Sequence, residues 1–327
     1  MHIPDGFLDA RIAAASGVLA LAGVGVALRT VKRTVPPRRV PLIGLAAAFV
    51  FAAQMLNFPV AGGTSGHVIG AVLVAVLLGP EAAVLAMTAV LVLQCFMFAD
   101  GGVTALGANV FDMALVAPVV GYTVYALAVR LAGTGLRSRL FATAFAAWCS
   151  TVAAATCCAG QLALSGAVAP GAAFPAMAGV HMLIGIGEAL ITTMVIATVA
   201  GARPELLTVG GDEAELPRYC GTVVTGLIVS LGLAVFVAPF ACGWPDGLEK
   251  VAVVLGFAPR AAEQPLIPSP LPDYAVPGVS SAFASTAVAG GVGTVIAFVL
   301  AWILARALTP RPASVCAGET RKESDRA

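Results

Sequence analysis

The run GHVIGAVLVAVLLGPEAAVLAMTAVLVLQCFMF, residues 66–98, decides the fold. It carries one acid, Glu81, one histidine at its start, His67, and a Gly79-Pro80 break. It reads either as one interrupted membrane span or as two, 66–79 and 81–98. A bilayer core takes about 20 apolar residues per helix, and somewhat fewer in a short span. The first half is therefore the weakest candidate, and the flanking charges decide. Arg29, Lys32, Arg33, Arg38 and Arg39 fill the loop before it with no acid among them. Basic loops stay in the cytoplasm. Arg130, Arg137 and Arg139 further on are cytoplasmic only if both halves cross.

Counting outward from there gives nine spans: 8–29, 40–57, 66–79, 81–98, 107–130, 140–165, 173–200, 219–241 and 283–306. The expected fold is an all-α membrane protein, a multi-span helical bundle with its N-terminus outside and its C-terminus cytoplasmic. The 201–218 loop and the tail with Arg311, Arg321 and Lys322 then fall inside. Composition agrees. Of 327 residues 59% are apolar and 11% charged, with a mean hydropathy of +0.97. A soluble core could not hide so much apolar surface. The net charge of +1 points to no nucleic-acid partner. No basic segment precedes the first apolar run, so no cleavable signal peptide is expected, and the protein is placed in the cytoplasmic membrane. The seven cysteines form no CxxC and lie mostly in apolar runs, which predicts no disulfide framework.

This topology puts the polar, glycine-rich segments on one face: the N-terminus, the Asn57–Gly66 turn, the Asp100–Gly107 turn, the 166–172 turn and the segment 242–282. The chain opens Met1-His-Ile-Pro-Asp-Gly-Phe-Leu8. An α-amine titrates near about 7.7–8.0 and an imidazole near about 6.5, so both yield lone pairs to a metal close to neutral pH. The Met1 amine, the His2 amide and the His2 ring form one chelate of three nitrogens. A fourth from His67 closes a plane, and planar nitrogen sets favour nickel(II) or copper(II). Taken alone, His2 reads equally as a solvated terminal residue, and His67 as a structural group at a span mouth. Gln54, Asn57, Ser65, Gln94 and Asn109 are candidates to hydrogen-bond around the site or line the path to it. Asp100 and Asn109 also read as caps of the helix that follows. His181 and Glu188 share a helix face about 10 Å apart, too far to bind one ion, and the two are expected to make structural interhelical hydrogen bonds.

Some chemistry is excluded. Lysine occurs only at 32, 250 and 322, never after glycine, so there is no P-loop. Neither His-Glu-x-x-His nor Gly-x-Ser-x-Gly occurs, which argues against a metalloprotease or a serine hydrolase.

Five stretches carry a resemblance: Met1–Leu8, Gln54-Met-Leu-Asn-Phe-Pro-Val60, Gly63-Thr-Ser-Gly-His67, Asp100-Gly-Gly-Val-Thr-Ala-Leu-Gly-Ala-Asn109 and His181-Met-Leu-Ile-Gly-Ile-Gly-Glu188. In this order they resemble the CbiM/NikM family, the substrate-capture components of energy-coupling factor transporters for cobalt and nickel. Pro245-Asp246-Gly247-Leu248-Glu249 and the span after it resemble the small NikN-like accessory subunit of nickel importers. The resemblance implies a seven-span capture part, 1–200, a cytoplasmic linker, 201–218, a two-span accessory part, 219–310, and a cytoplasmic tail, 311–327. It implies Ni2+ or Co2+ as cargo, held by Met1, His2 and His67. It also implies a transmembrane coupling component and ATP-binding cassette ATPases as partners, and no enzymatic activity. The competing expectations are an intramembrane enzyme using His181 and Glu188, and a passive metal channel.

Overall fold

The computed structural model describes residues 1–207, 219–262, 264 and 266–309. The rest of the expected linker, 208–218, and the tail 311–327 lie outside the described residues. The described chain is mostly helical. Lipid offers a main-chain amide no partner, so each buried segment satisfies its own.

Helix α1, Ala10–Thr34, starts at Asp9, whose carboxylate accepts the amide of Arg11, and ends on Lys32 and Arg33, where positive charge suits the helix dipole. Helix α2, Val40–Gln54, leads into an antiparallel hairpin of β1, Phe58–Val60, and β2, Thr64–Gly66, with Phe58 opposite Gly66. Then come α3, Ala71–Leu78, and α4, Pro80–Leu93, which widens into a π-helical turn at Gln94–Phe98. Helix α5, Leu106–Asn109, passes through a second π-helical turn, Val110–Val116, into α6, Ala117–Ala132. Helices α7, Leu136–Leu164, and α8, Pro170–Ala202, follow. After the undescribed stretch come α9, Cys220–Gly232, the short α10, Gly247–Val254, and α11, Ala282–Leu308.

Seven helices are long and apolar enough to cross a membrane among the described residues: Ala10–Thr34, Pro80–Phe98, Leu106–Ala132, Leu136–Leu164, Pro170–Ala202, Cys220–Phe240 and Ala282–Leu308. Each coincides with an expected span. The largest shift is at the basic end of α1, Thr34 against the expected 29.

The expected span 66–79 is different. Only Ala71–Leu78 is helical, and eight residues reach about 12 Å where a hydrocarbon core needs about 30 Å. The cause is glycine. Gly70 sits at φ +78° and Gly79 at φ +92°, one before and one after the helix. Residues 67–70 therefore stay non-helical, and α3 is a buried half-helix, with Ala71, Val72 and Ala75 wholly covered. Irregular backbone inside a bundle needs protein partners. Glu188 of α8 supplies them, accepting the amides of Ile69 at 2.5 Å and Gly70 at 2.9 Å. Gln54 donates to the Ile69 carbonyl at 2.9 Å.

Alanines with no exposed surface, such as Ala47, Ala83, Ala154 and Ala297, line the helix contacts. Small residues let membrane helices approach closely. Helix α11 packs on α2 and α4, and α9 on α2, so the late helices join the early ones in one body. At one end Arg139 donates to the carbonyls of Thr134 and Leu207, tying the 133–135 turn to the 203–207 turn. The polar segments gather elsewhere, around the N-terminus. The six described cysteines are free thiols.

Candidate metal centre

The first seven residues are drawn into the bundle. Met1, Ile3 and Phe7 are buried. Asn109 holds the strand at Ile3, accepting its amide at 2.8 Å and donating to its carbonyl at 3.1 Å. The amide of Gly102 donates to the same carbonyl at 2.8 Å. Asp5 accepts both the amide and the hydroxyl of Thr104. Gly102 is required by proximity: a Cβ there would stand 2.2 Å from the Asp5 nitrogen. The Asp100-Gly-Gly turn is thus a groove cut to fit the N-terminal strand.

This threading places the Met1 amine 2.8 Å from Nε2 of His67 and 2.8 Å from a carboxylate oxygen of Asp246. His67 is 7% exposed. Its Nδ1 faces the Val68 carbonyl at 3.2 Å. A carbonyl only accepts, so Nδ1 bears the proton and Nε2 presents its lone pair to the amine. The His2 ring stacks on the His67 ring with centroids 5.3 Å apart. Its own nitrogens are turned outward, Nδ1 to Asp100 at 3.1 Å and Nε2 to Gln94 at 3.3 Å. Burial holds His2 below the ordinary imidazole range, against the pull of the Asp100 carboxylate. Burial alone would raise the Asp246 carboxyl, but the adjoining ammonium outweighs it and keeps the group below the usual carboxylate range. Among the described residues no three His, Cys, Asp or Glu side chains gather as a metal cage. A cation here therefore depends on the terminal amine and the main chain as donors.

Met1, His2 and His67 thus meet, and Gln94 and Asn109 touch this group through His2 and Ile3. Gln54 stands further back, on the carbonyl of Ile69. Ser65 donates to the carbonyl of Trp244 at 2.7 Å, and its amide donates to that of Pro245 at 2.8 Å, linking the hairpin to the accessory motif. Asn57 departs from expectation. Its side-chain oxygen is buried without a hydrogen-bond partner among the described residues, and its main chain donates to the Met55 carbonyl and accepts the Cys242 amide.

Three further expectations are corrected. Asp100 and Asn109 do not cap the following helix; α5 starts after Ala105, Asn109 bonds Ile3, and Asp100 divides its oxygens between His2 and Tyr274. Among the described residues His181 makes no interhelical hydrogen bond; Nδ1 bonds the Met177 carbonyl one turn back at 2.8 Å. Glu188 is no free catalytic carboxylate, since both its oxygens are held by amides. The sequence reading missed that Asp246 reaches the amine, and that Tyr274 bonds Asp100 at 2.5 Å. Asp246 opens α10 in a capping box with Glu249, and that box is the whole of its local signal. Its contact to Met1 spans most of the chain.

Comparison with known proteins gives the family. Residues 2–206 match the family model CbiM, cobalt uptake substrate-specific transmembrane region, and residues 221–310 match the PDGLE domain. A putative fused nickel transport protein NikMN of Archaeoglobus fulgidus is 37% identical over 94% of this chain and 98% of its own length. The fused nickel transport protein NikMN of Rhodobacter capsulatus is 34% identical over 86% and 90%. The crystal structure of a truncated transition metal transporter is 35% identical, covering 62% of this chain and 99% of its own, with a TM-score of 0.57. The relatives are metal transport proteins, which places this chain among transporters and not enzymes. A helical membrane bundle and these matches make the chain a member of the CbiM family of metal-uptake proteins, carrying a PDGLE domain behind it.

Proposed function

We propose that this chain captures Ni2+ or Co2+ for import, as the substrate-specific subunit of an energy-coupling factor transporter in the cytoplasmic membrane. The ion is bound by the Met1 amine, the His2 amide and ring, and the His67 ring. One observation carries the reading: the Met1 nitrogen lies 2.8 Å from His67 Nε2. Metal–nitrogen bonds of about 2.0–2.1 Å put two ligands at right angles about 2.9 Å apart. The ammonium already occupies the focus of these lone pairs, as a cation against Asp246. Loading exchanges one cation for another. The amine and the His2 amide each give up a proton to water, and the His2 ring turns from Asp100 and Gln94 to the ion. Asp246 and Asp100 remain as balancing charges.

A planar nitrogen set favours nickel, in line with the nickel transport names of the fused relatives. Residues 1–200 act as the capture part. Residues 219–310, with the segment 242–282, assist loading through Asp246. A transmembrane coupling component and paired ATPases supply the energy. The test is a chain with two residues added before Met1. Calorimetry should find nickel affinity lowered at least about a hundredfold, while a C-terminal tag leaves it unchanged. Undiminished binding by the extended chain overturns the chelate. Full uptake without the ATPases would instead favour a channel.

A further inference from the structure

His181 lies on α8, and 2% of its surface is exposed. Its Nδ1 is fixed by the Met177 carbonyl, so in the neutral ring Nε2 is a bare lone pair. That lone pair has no hydrogen-bond partner among the described residues. A ring anchored by a carbonyl on one nitrogen and open on the other is the habit of a ligating histidine. A buried acceptor left unmatched is unfavourable, so the group calls for a partner.

The open edge faces the accessory part. A Cβ on Gly247 would stand 3.0 Å from Nε2 and 2.8 Å from Cε1, so glycine is what lets α10 begin against this ring. His181 lines a cavity of about 10 Å³ together with Met1, His67 and Asp246, room for about one water or one ion. Asp246 therefore stands between two nitrogen groups. One of its oxygens meets the Met1 ammonium and the other caps α10.

We propose that this cavity is a second position for the divalent ion, where His181 Nε2 and the Asp246 carboxylate hold it before it passes to Met1 and His67. Asp246 borders this cavity and also meets the Met1 nitrogen, so an ion held there lies next to the chelate. This rests on the chelate proposed above and adds a waiting step to it.

The test is stopped-flow mixing of the purified full-length protein with Ni2+ over a range of concentrations. Prior binding at a waiting position makes the loading rate level off as nickel rises. In His181→Gln the plateau should disappear, and the loading rate at low nickel should fall about tenfold or more. Asp246→Asn, which leaves α8 untouched, should do the same and guards against a folding defect in the first variant; melting temperatures of both are compared with the parent. A linear rate in the parent overturns the waiting position, as does a plateau that persists in both variants, which is the result of a cavity holding only water. Neither result touches the chelate, because final occupancy would still depend on a free Met1 amine. If the extended chain binds nickel undiminished, the chelate fails instead.

Discussion

At the residue scale the site is made by close approach. Gly102 lets the N-terminal strand lie against the Asp100 turn, and a side chain there would meet the Asp5 nitrogen at 2.2 Å. That nitrogen is main chain, so the N-terminal segment itself must shift. Overpacking costs about 1–3 kcal/mol, and every 1.4 kcal/mol is tenfold in affinity. Gly102→Ala should therefore weaken nickel binding by about 5- to 150-fold with the helices intact, measured by calorimetry beside circular dichroism. Unchanged affinity would mean that the path of the strand does not set the site. This scale was half legible in the sequence. The donors at Met1, His2 and His67 follow from nitrogen chemistry. Asp246 and Tyr274 could not be read, because their contacts to Met1 and Asp100 join positions far apart in the chain with no local period. The orientation of the His2 ring was also hidden, since it depends on Asp100 and Gln94 arriving together.

At the element scale α3 is the informative piece. Apolar content marked 66–79 as a span, and the structure makes it a half-helix entered through irregular backbone. Composition reports that a segment is buried, not whether protein or lipid buries it. Gly62, Gly63 and Gly66 were visible as a turn signal, but Glu188, which satisfies the irregular backbone after it, sits on another helix. Three π-helical turns occur among the described residues, at Gln94–Phe98, Val110–Val116 and Leu233–Val237. One of them begins at Gln94, which bonds His2, and such widened turns recur at functional sites. Removing Glu188 tests the arrangement. Glu188→Ala leaves the amides of Ile69 and Gly70 unpaired inside the bundle, at about 1–3 kcal/mol each. The expected outcome is a lower melting temperature in detergent and weaker metal binding, because His67 is two residues from Ile69. A variant that melts like the parent would show the backbone there finding other partners. The other long helices were legible to within a few residues, since their lengths and flanking charges leave little choice.

At the scale of the whole molecule the two parts of the chain meet around the N-terminus. Cys242 donates to Asn57, Leu271 to Met97 and Ala262 to Asp5, all through main-chain amides. The accessory segment therefore closes over the strand that carries the amine, and shares its side of the membrane. The basic 133–139 and 203–207 turns share another end. By the positive-inside rule, we propose an orientation with the candidate metal centre outward. Labelling in intact cells tests this. Gln264 and Thr134 are both exposed, one beside the site and one among the arginines. Gln264→Cys should react with a membrane-impermeant maleimide in intact cells, above the background of the native thiols. Thr134→Cys should react only after the membrane is opened. The reverse pattern would turn the molecule over, and a metal centre facing the cytoplasm could not receive an ion arriving from outside.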